Sequence, residues 1–255
     1  MEIVVYVLNK LKRSSILFKE KIRKLKNIPE RFLINFPSHL SCELEEFGFG
    51  NLTTDEFWEI YKEKCNVNEP FLNALKYKYN PILESLPDLY EKLPDLQIMP
   101  YQNLSYIEKV SELEEEILLE TFRARLTGKI KVEEWKELLS DDYEWNATFR
   151  EKNEETILNN IDKDKNYLIL YEGYVKSLLQ KMRAMGYFPR INFLKEYYRS
   201  PLEMFIYEIG KNGSENISDE CIKKCIKDHI RYVELILYEK SIDDAHKKWE
   251  NSTNK

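Results

Sequence analysis

At 255 residues the chain is long enough for one large α/β domain or a domain with a helical appendage, and its 43% hydrophobic content supplies a sizeable core without a disulfide framework. The 33% charged residues are mostly mixed Lys and Glu and only 7 residues are glycine, a composition that favours long helices over flexible loops. A net charge of −6 argues against a broad nucleic-acid footprint, because phosphate binding needs clustered, uncompensated Lys and Arg.

Glu2 to Leu8, with its apolar run Ile3 to Leu8, is rich in Ile and Val and reads as a first strand. It is too short for a membrane span and lacks the longer apolar core and cleavage site of a signal peptide, so a cytoplasmic protein with reduced thiols at Cys42, Cys65, Cys221 and Cys225 is expected. Ser14 or Ser15 is positioned to cap a helix whose Ile16, Leu17, Ile22 and Leu25 share a face and which Pro29 closes. Arg31 to Phe36 is a second strand ended by Pro37. Thr53 or Thr54, followed by Asp55 and Glu56, starts a helix through Phe57, Trp58 and Tyr61. A further helix from about Glu69 to Leu86 is expected to kink or divide at Pro81, and Asp95 to Met99 reads as a third strand between prolines.

Asn103 to Leu126 is one long acidic-faced helix. Val132 to Leu139 predicts a short helix, and Asp141 or Asp142 the cap of another through Ile161. Tyr167 to Leu170 is a short apolar run suited to a buried strand. Gly173 turns the chain into a helix carrying Val175, Leu178, Leu179, Met182 and Met185. Gly186 is placed to end that helix, and Tyr187, Phe188 and Ile191 to re-enter the sheet. Pro201, Gly210 and Gly213 interrupt the helical pattern that follows, and a last helix spans Ser218 to about Lys240. The fold expected is a helix-rich, three-layer α/β domain over 1–191 with a short, mainly parallel sheet, a C-terminal helical extension over 192–250 and a frayed tail at 251–255.

Chemistry-bearing residues are sparse. No P-loop, Rossmann glycine fingerprint, G-x-S-x-G or H-E-x-x-H is present. Cys221, Cys225 and His229 follow at i, i+4 and i+8 on one helix. They are candidate metal ligands only pairwise, since the outer two lie roughly 12 Å apart along the axis. A boundary face beside the apolar row Ile222, Ile226, Ile230, Val233 and Leu237 is the favoured account of them, and the metal signal is weak. His39 and Cys42 follow the second strand with Glu43 nearby, at the sheet edge where such folds place ligands. Lys10, Lys12, Arg13, Lys19, Lys21, Arg23, Lys24 and Lys26 make the first helix basic, and Glu108, Glu112, Glu114, Glu115, Glu116 and Glu120 form an acidic counterpart.

The order of elements, with TFREKNEETILNNI followed by NYLILYEGYVKSLLQKMRAMGYFPRI, resembles the TraB/PrgY, TIKI and ChaN-like superfamily over about residues 2–191. In that group a helix bearing an Arg-Asn or Arg-Asp pair precedes a buried strand, a glycine turn ending in histidine, and a helix closing in Gly-Tyr. Arg150 with Asn153, Gly173, and Gly186 with Tyr187 take those places. The pattern departs at the metal ligands: Leu8, Asn9 and Lys10 replace a glycine and histidine, Asn35 a glutamate, and Tyr174 the late histidine. The resemblance thus implies a degenerate scaffold, with Arg150, Asn153, Glu172 and Gly173 left to bind a polar ligand. The first expectation is a non-catalytic, cytoplasmic binding or assembly protein, without a cofactor, that meets a protein partner or a second copy of itself. A metal-dependent hydrolase or peptidase with an altered site drawn from His39, Glu43, Arg150, Glu172 and Tyr174 would be the alternative, with a divalent metal as its cofactor. Nucleic-acid association through the basic first helix is the third reading.

Overall fold

The computed structural model describes residues 1–24, 29–195 and 197–253. Its elements are β1 (Ile3–Leu8), α1 (Lys12–Ile22), β2 (Arg31–Pro37), α2 (Ser41–Gly48), α3 (Thr54–Cys65), α4 (Glu69–Leu83), α5 (Leu86–Lys92) and β3 (Gln97–Gln102). There follow α6 (Leu104–Thr127), α7 (Val132–Asn159), β4 (Tyr167–Glu172), α8 (Lys176–Ala184), β5 (Arg190–Phe193), α9 (Pro201–Asn212), α10 (Asp219–Tyr238) and α11 (Ile242–Thr253). The chain forms two compact units, Met1–Glu108 with Phe149–Glu196, and Lys109–Thr148 with Tyr197–Lys255.

The first unit is the α/β layer structure that the alternation of apolar runs and helical stripes predicts. Its five strands are all parallel in the order β3-β2-β4-β1-β5. Central β1 and β4 pair from Ile3 opposite Tyr167 to Leu8 opposite Glu172. Burial on both faces explains why these strands are continuous apolar runs rather than alternating ones. One face carries Val5, Val7, Leu33, Ile169 and Tyr171 against Ile157 of α7 and Leu178 and Met182 of α8. The other is aromatic: Tyr6 meets Phe18 of α1 edge-on at 5.5 Å, and Phe36 meets Phe57 of α3 at 5.8 Å and Tyr79 of α4 at 5.1 Å. Each such ring, once buried, stabilises the unit by about 1.5–3 kcal/mol before entropy is counted. Helix α8 ends in a Schellman turn, Tyr187 N–H donating to the Met182 carbonyl and Gly186 N–H to that of Arg183, with Gly186 at φ 85°.

The second unit groups residues 109–148 with the C-terminal helices. Leu113 of α6 and Trp135, Leu138 and Leu139 of α7 share a core with Leu202, Phe205, Ile209, Ile222 and Ile226. Helix α9 begins in a capping box in which the Ser200 hydroxyl accepts from Glu203 N–H and the Glu203 carboxylate accepts from Ser200 N–H.

Several local expectations are corrected. Helix α1 starts after Leu11, and Ser14 and Ser15 lie buried inside it; Ser14 Oγ donates to the Leu11 carbonyl at 2.7 Å instead of capping. Its buried face is Phe18 and Ile22 with the two serines, while Ile16 is exposed. Leu25 and Lys26 lie outside the described residues. Pro81 sits in the last turn of α4, and the chain breaks only after Leu83. Strand β3 runs through Pro100, which a ladder tolerates because β3 is an edge strand. Helix α7 is continuous, with Asp142 inside it accepting from Asn146 Nδ2 at 2.8 Å rather than opening a new helix. Phe188 is 82% exposed, outside the sheet. Gly210 lies within α9 under the Tyr143 ring, which leaves no room for a Cβ. Residues 251–253 complete α11, a helix that the polar sequence conceals.

Candidate functional site at the carboxyl edge of the sheet

The chain leaves the neighbouring strands β2 and β4 toward opposite faces, through α2 to α5 on the aromatic side and through α8 on the other. Such a switch opens a crevice beyond the strand ends, the place where parallel sheets take ligands. Glu172 ends β4 there. Two α4 residues, Lys78 and Tyr79, reach it with Asn35 of β2. The pairing of β2 with β3 shifts register between Ile34 and Pro37, an irregularity of the kind that re-aims side chains such as Asn35.

The result is a polar network centred on the Glu172 carboxylate. Tyr79 donates its hydroxyl to Glu172 Oε2 at 2.6 Å, Asn35 Nδ2 donates to the same oxygen at 3.1 Å and to the Tyr79 hydroxyl at 2.7 Å, and Lys78 Nζ forms an ion pair with Oε1. Asn35, Lys78 and Tyr79 are buried, whereas the Glu172 side chain remains 26% exposed. Burial pushes the Glu172 carboxyl up, but the charge and hydrogen bond of Lys78, the Tyr79 hydroxyl and the charge of Lys10 together hold it below its ordinary range. The same environment pushes the Tyr79 phenol well up, through burial first and then the Glu172 charge. Beside it, Asn9 follows β1. Its Oδ1 accepts from Leu11 N–H at 3.0 Å, and its buried Nδ2 has no hydrogen-bond partner among the described residues. Gly173, at φ 91°, and the exposed Tyr174 form the loop beyond Glu172.

The other sequence candidates fall into separate places. Arg150, Asn153, Glu154 and Ile157 line one stripe of α7 at i, i+3, i+4 and i+7, on the sheet face opposite Glu172. Buried Glu154 accepts from Tyr171 at 3.2 Å and Ser177 at 2.7 Å and pairs with Lys181 at 2.9 Å. The Tyr171 phenol is pushed up by burial and by Glu154, with the Arg150 charge opposing. Asn153 is buried, and its Oδ1 has no hydrogen-bond partner among the described residues. His39 stands on a 3₁₀ turn, Ser38–Leu40, with Nε2 3.8 Å from Cys65 Sγ rather than beside the exposed Cys42. Burial and the nearby Lys64 push the His39 imidazole down, and burial pushes the Cys65 thiol up to about 12. Glu43 is taken by Lys64 at 2.5 Å. Among the described residues no hydrogen bond or ion pair joins His39, Glu43, Arg150 or Tyr174 to Glu172.

In the second unit Cys221 is exposed, Cys225 Sγ donates to the Pro201 carbonyl at 3.4 Å with its thiol pushed up to about 12, and desolvation pushes the His229 imidazole down to about 4. Among the described residues no group of three His, Cys, Asp or Glu side chains is placed to hold a metal ion. Part of the basic charge of α1 and its C-cap is paired at the surface: Lys19 with Glu84 at 2.7 Å and Arg23 with Asp88 at 2.8 Å. No described helix is long and apolar enough to cross a membrane. Lys78, Tyr79, Asn35 and Asn9 are the site residues that sequence reasoning missed, the two asparagines having entered it only as departures from a metal-ligand pattern; Tyr79 is 93 positions from Glu172 and carries no motif. Comparison with known proteins gave no match: no family model, no curated protein and no solved structure is significantly similar to the chain.

Proposed function

We propose that this is a non-catalytic binding protein of the cytoplasm that takes a polar ligand in the crevice beyond β2 and β4. The observation that carries the reading is Glu172, a partly exposed carboxylate fixed by three buried partners, Asn35, Lys78 and Tyr79. A fixed, ionised acceptor binds hydroxyl or ammonium donors without reorganising. It is poorly suited to general acid–base work, because a carboxylate held below its ordinary range is a weak base and has no proton to donate near neutrality. The unpartnered Asn9 amide hydrogens supply a donor on the same edge, so the ligand presents both donors and acceptors. Four unpaired cysteines agree with a reducing compartment.

A thermal-shift panel of amino acids, polyamines, sugars and nucleosides tests the reading. At least one class raises the melting temperature of the wild type and has no effect on Glu172→Gln, and NMR recovers the bound compound unchanged. A panel that shifts both proteins alike, or a compound that is converted, contradicts it.

A further inference from the structure

Helix α11 is held to the second unit by a polar side chain, although an apolar one is the common choice. His246 is 2% exposed. Its Nδ1 lies 3.0 Å from the Tyr232 hydroxyl of α10, its ring stacks on Tyr197 with centroids 4.9 Å apart and planes 5° from parallel, and its buried Nε2 has no hydrogen-bond partner among the described residues. Tyr232 also meets Trp249, one turn further along α11, edge-on at 6.0 Å. Apart from His246, Ala245 is the one fully apolar α11 residue buried among those described, so much of the docking rests on the imidazole.

We infer that His246 is an acid-sensitive latch, whose protonation loosens α11 from α10 and the segment preceding α9. A neutral imidazole protonated at Nε2 leaves Nδ1 free to accept from Tyr232; an imidazolium has no acceptor, so that hydrogen bond has to be lost or reversed. It also places a charge in a site that solvent does not reach. The charged and titratable groups around it are Tyr232 from α10, Tyr197 and the Tyr198 main chain from the preceding segment, Glu203 from α9, and Asp243 and Glu250 from α11. Glu203, a hydrogen bond to the Tyr198 main chain, Glu250 and Asp243 favour the cation, but Glu203 already accepts from Tyr197 at 2.5 Å and from Ser200 N–H at 2.9 Å, and desolvation outweighs all of them and holds the imidazole down. The folded value lies below the unfolded one, so the contribution is complete above the ordinary histidine range and is lost as pH falls from that range through the folded value.

The experiment is hydrogen exchange of the full chain at about pH 7.5 and about pH 5, corrected for intrinsic rates, across the window where histidines charge. Protection over 242–253 falls several-fold at the lower pH while that of α9 holds, and His246→Gln removes the difference. Equal protection at both values, or the same fall in His246→Gln, overturns the latch. If the variant lacks α11 protection at both values, NMR titration of His246 in the wild type decides: a midpoint that coincides with loss of α11 protection supports the latch, and titration without that loss overturns it.

Discussion

Tyr171 and Glu172 are consecutive on β4 and send their polar ends to opposite faces of the sheet: Tyr171 to Glu154 of α7 at 3.2 Å, Glu172 to Tyr79 of α4 at 2.6 Å. The alternation of a strand thereby separates Arg150 and Asn153 from Glu172, residues that a linear reading places in one site.

The Lys78–Glu172 pair predicts an asymmetric response to mutation. Glu172→Gln removes the carboxylate charge that pairs with the buried Lys78 ammonium and destabilises the fold by about 2–3 kcal/mol, below the usual cost of a fully buried pair because Glu172 is partly exposed. The double variant Lys78→Met with Glu172→Gln recovers most of that loss. Urea denaturation checks both, and equal stability of the single and double variants would show that the two residues are not coupled.

The pH dependence of the same pair follows from its sign. The folded Glu172 value lies below the unfolded one, so its stabilisation is present above the ordinary carboxylate range and disappears as pH falls through the folded value. The stability difference between wild type and Glu172→Gln is therefore largest near neutrality and shrinks in acid; a difference that grows in acid would reverse the assignment.

Thiol reactivity should sort by burial. Cys42 and Cys221 are exposed and alkylate first, while Cys65 and Cys225, with thiols near 12, have a thiolate fraction roughly a thousandfold or more below that of an ordinary cysteine near pH 8. Mass spectrometry of the native protein treated with iodoacetamide reads the order directly. Rapid labelling of Cys65 would contradict the shift and point to a nucleophilic thiol beside His39.

Gly186→Ala tests the close of α8. The position has φ 85° and an added methyl would meet no atom within 4 Å, so the cost is conformational alone, about 1–2 kcal/mol by thermal or urea unfolding. In the second unit, Trp135→Ala removes a fully buried indole and costs about 3–5 kcal/mol.

The central strands β1 and β4 were legible because they are buried on both faces, which makes Ile3–Leu8 and Tyr167–Leu170 unbroken apolar runs. The capping box at Thr53 and Glu56 and the glycine close of α8 were legible because they are local chemistry. What misled was local chemistry overruled by packing. Asp142 has a capping side chain yet lies buried inside α7. Ser14 turns its hydroxyl back onto the main chain, and the buried Ser15 hydroxyl has no hydrogen-bond partner among the described residues. Helix α11 escaped notice because a histidine rather than an aliphatic residue anchors it. Glu172 could be named from its place after β4, but Lys78 and Tyr79 come to it only through the path of α4 across the sheet, which no spacing encodes.

The central claim, that Glu172 is a carboxylate fixed in its ionised form for a ligand, is tested most directly by ¹³C NMR titration of that carboxyl in the intact protein and in Tyr79→Phe. A wild-type midpoint below 4.5 that rises when the Tyr79 hydroxyl is removed is the predicted result. A midpoint at or above 4.5, indifferent to Tyr79, would contradict it.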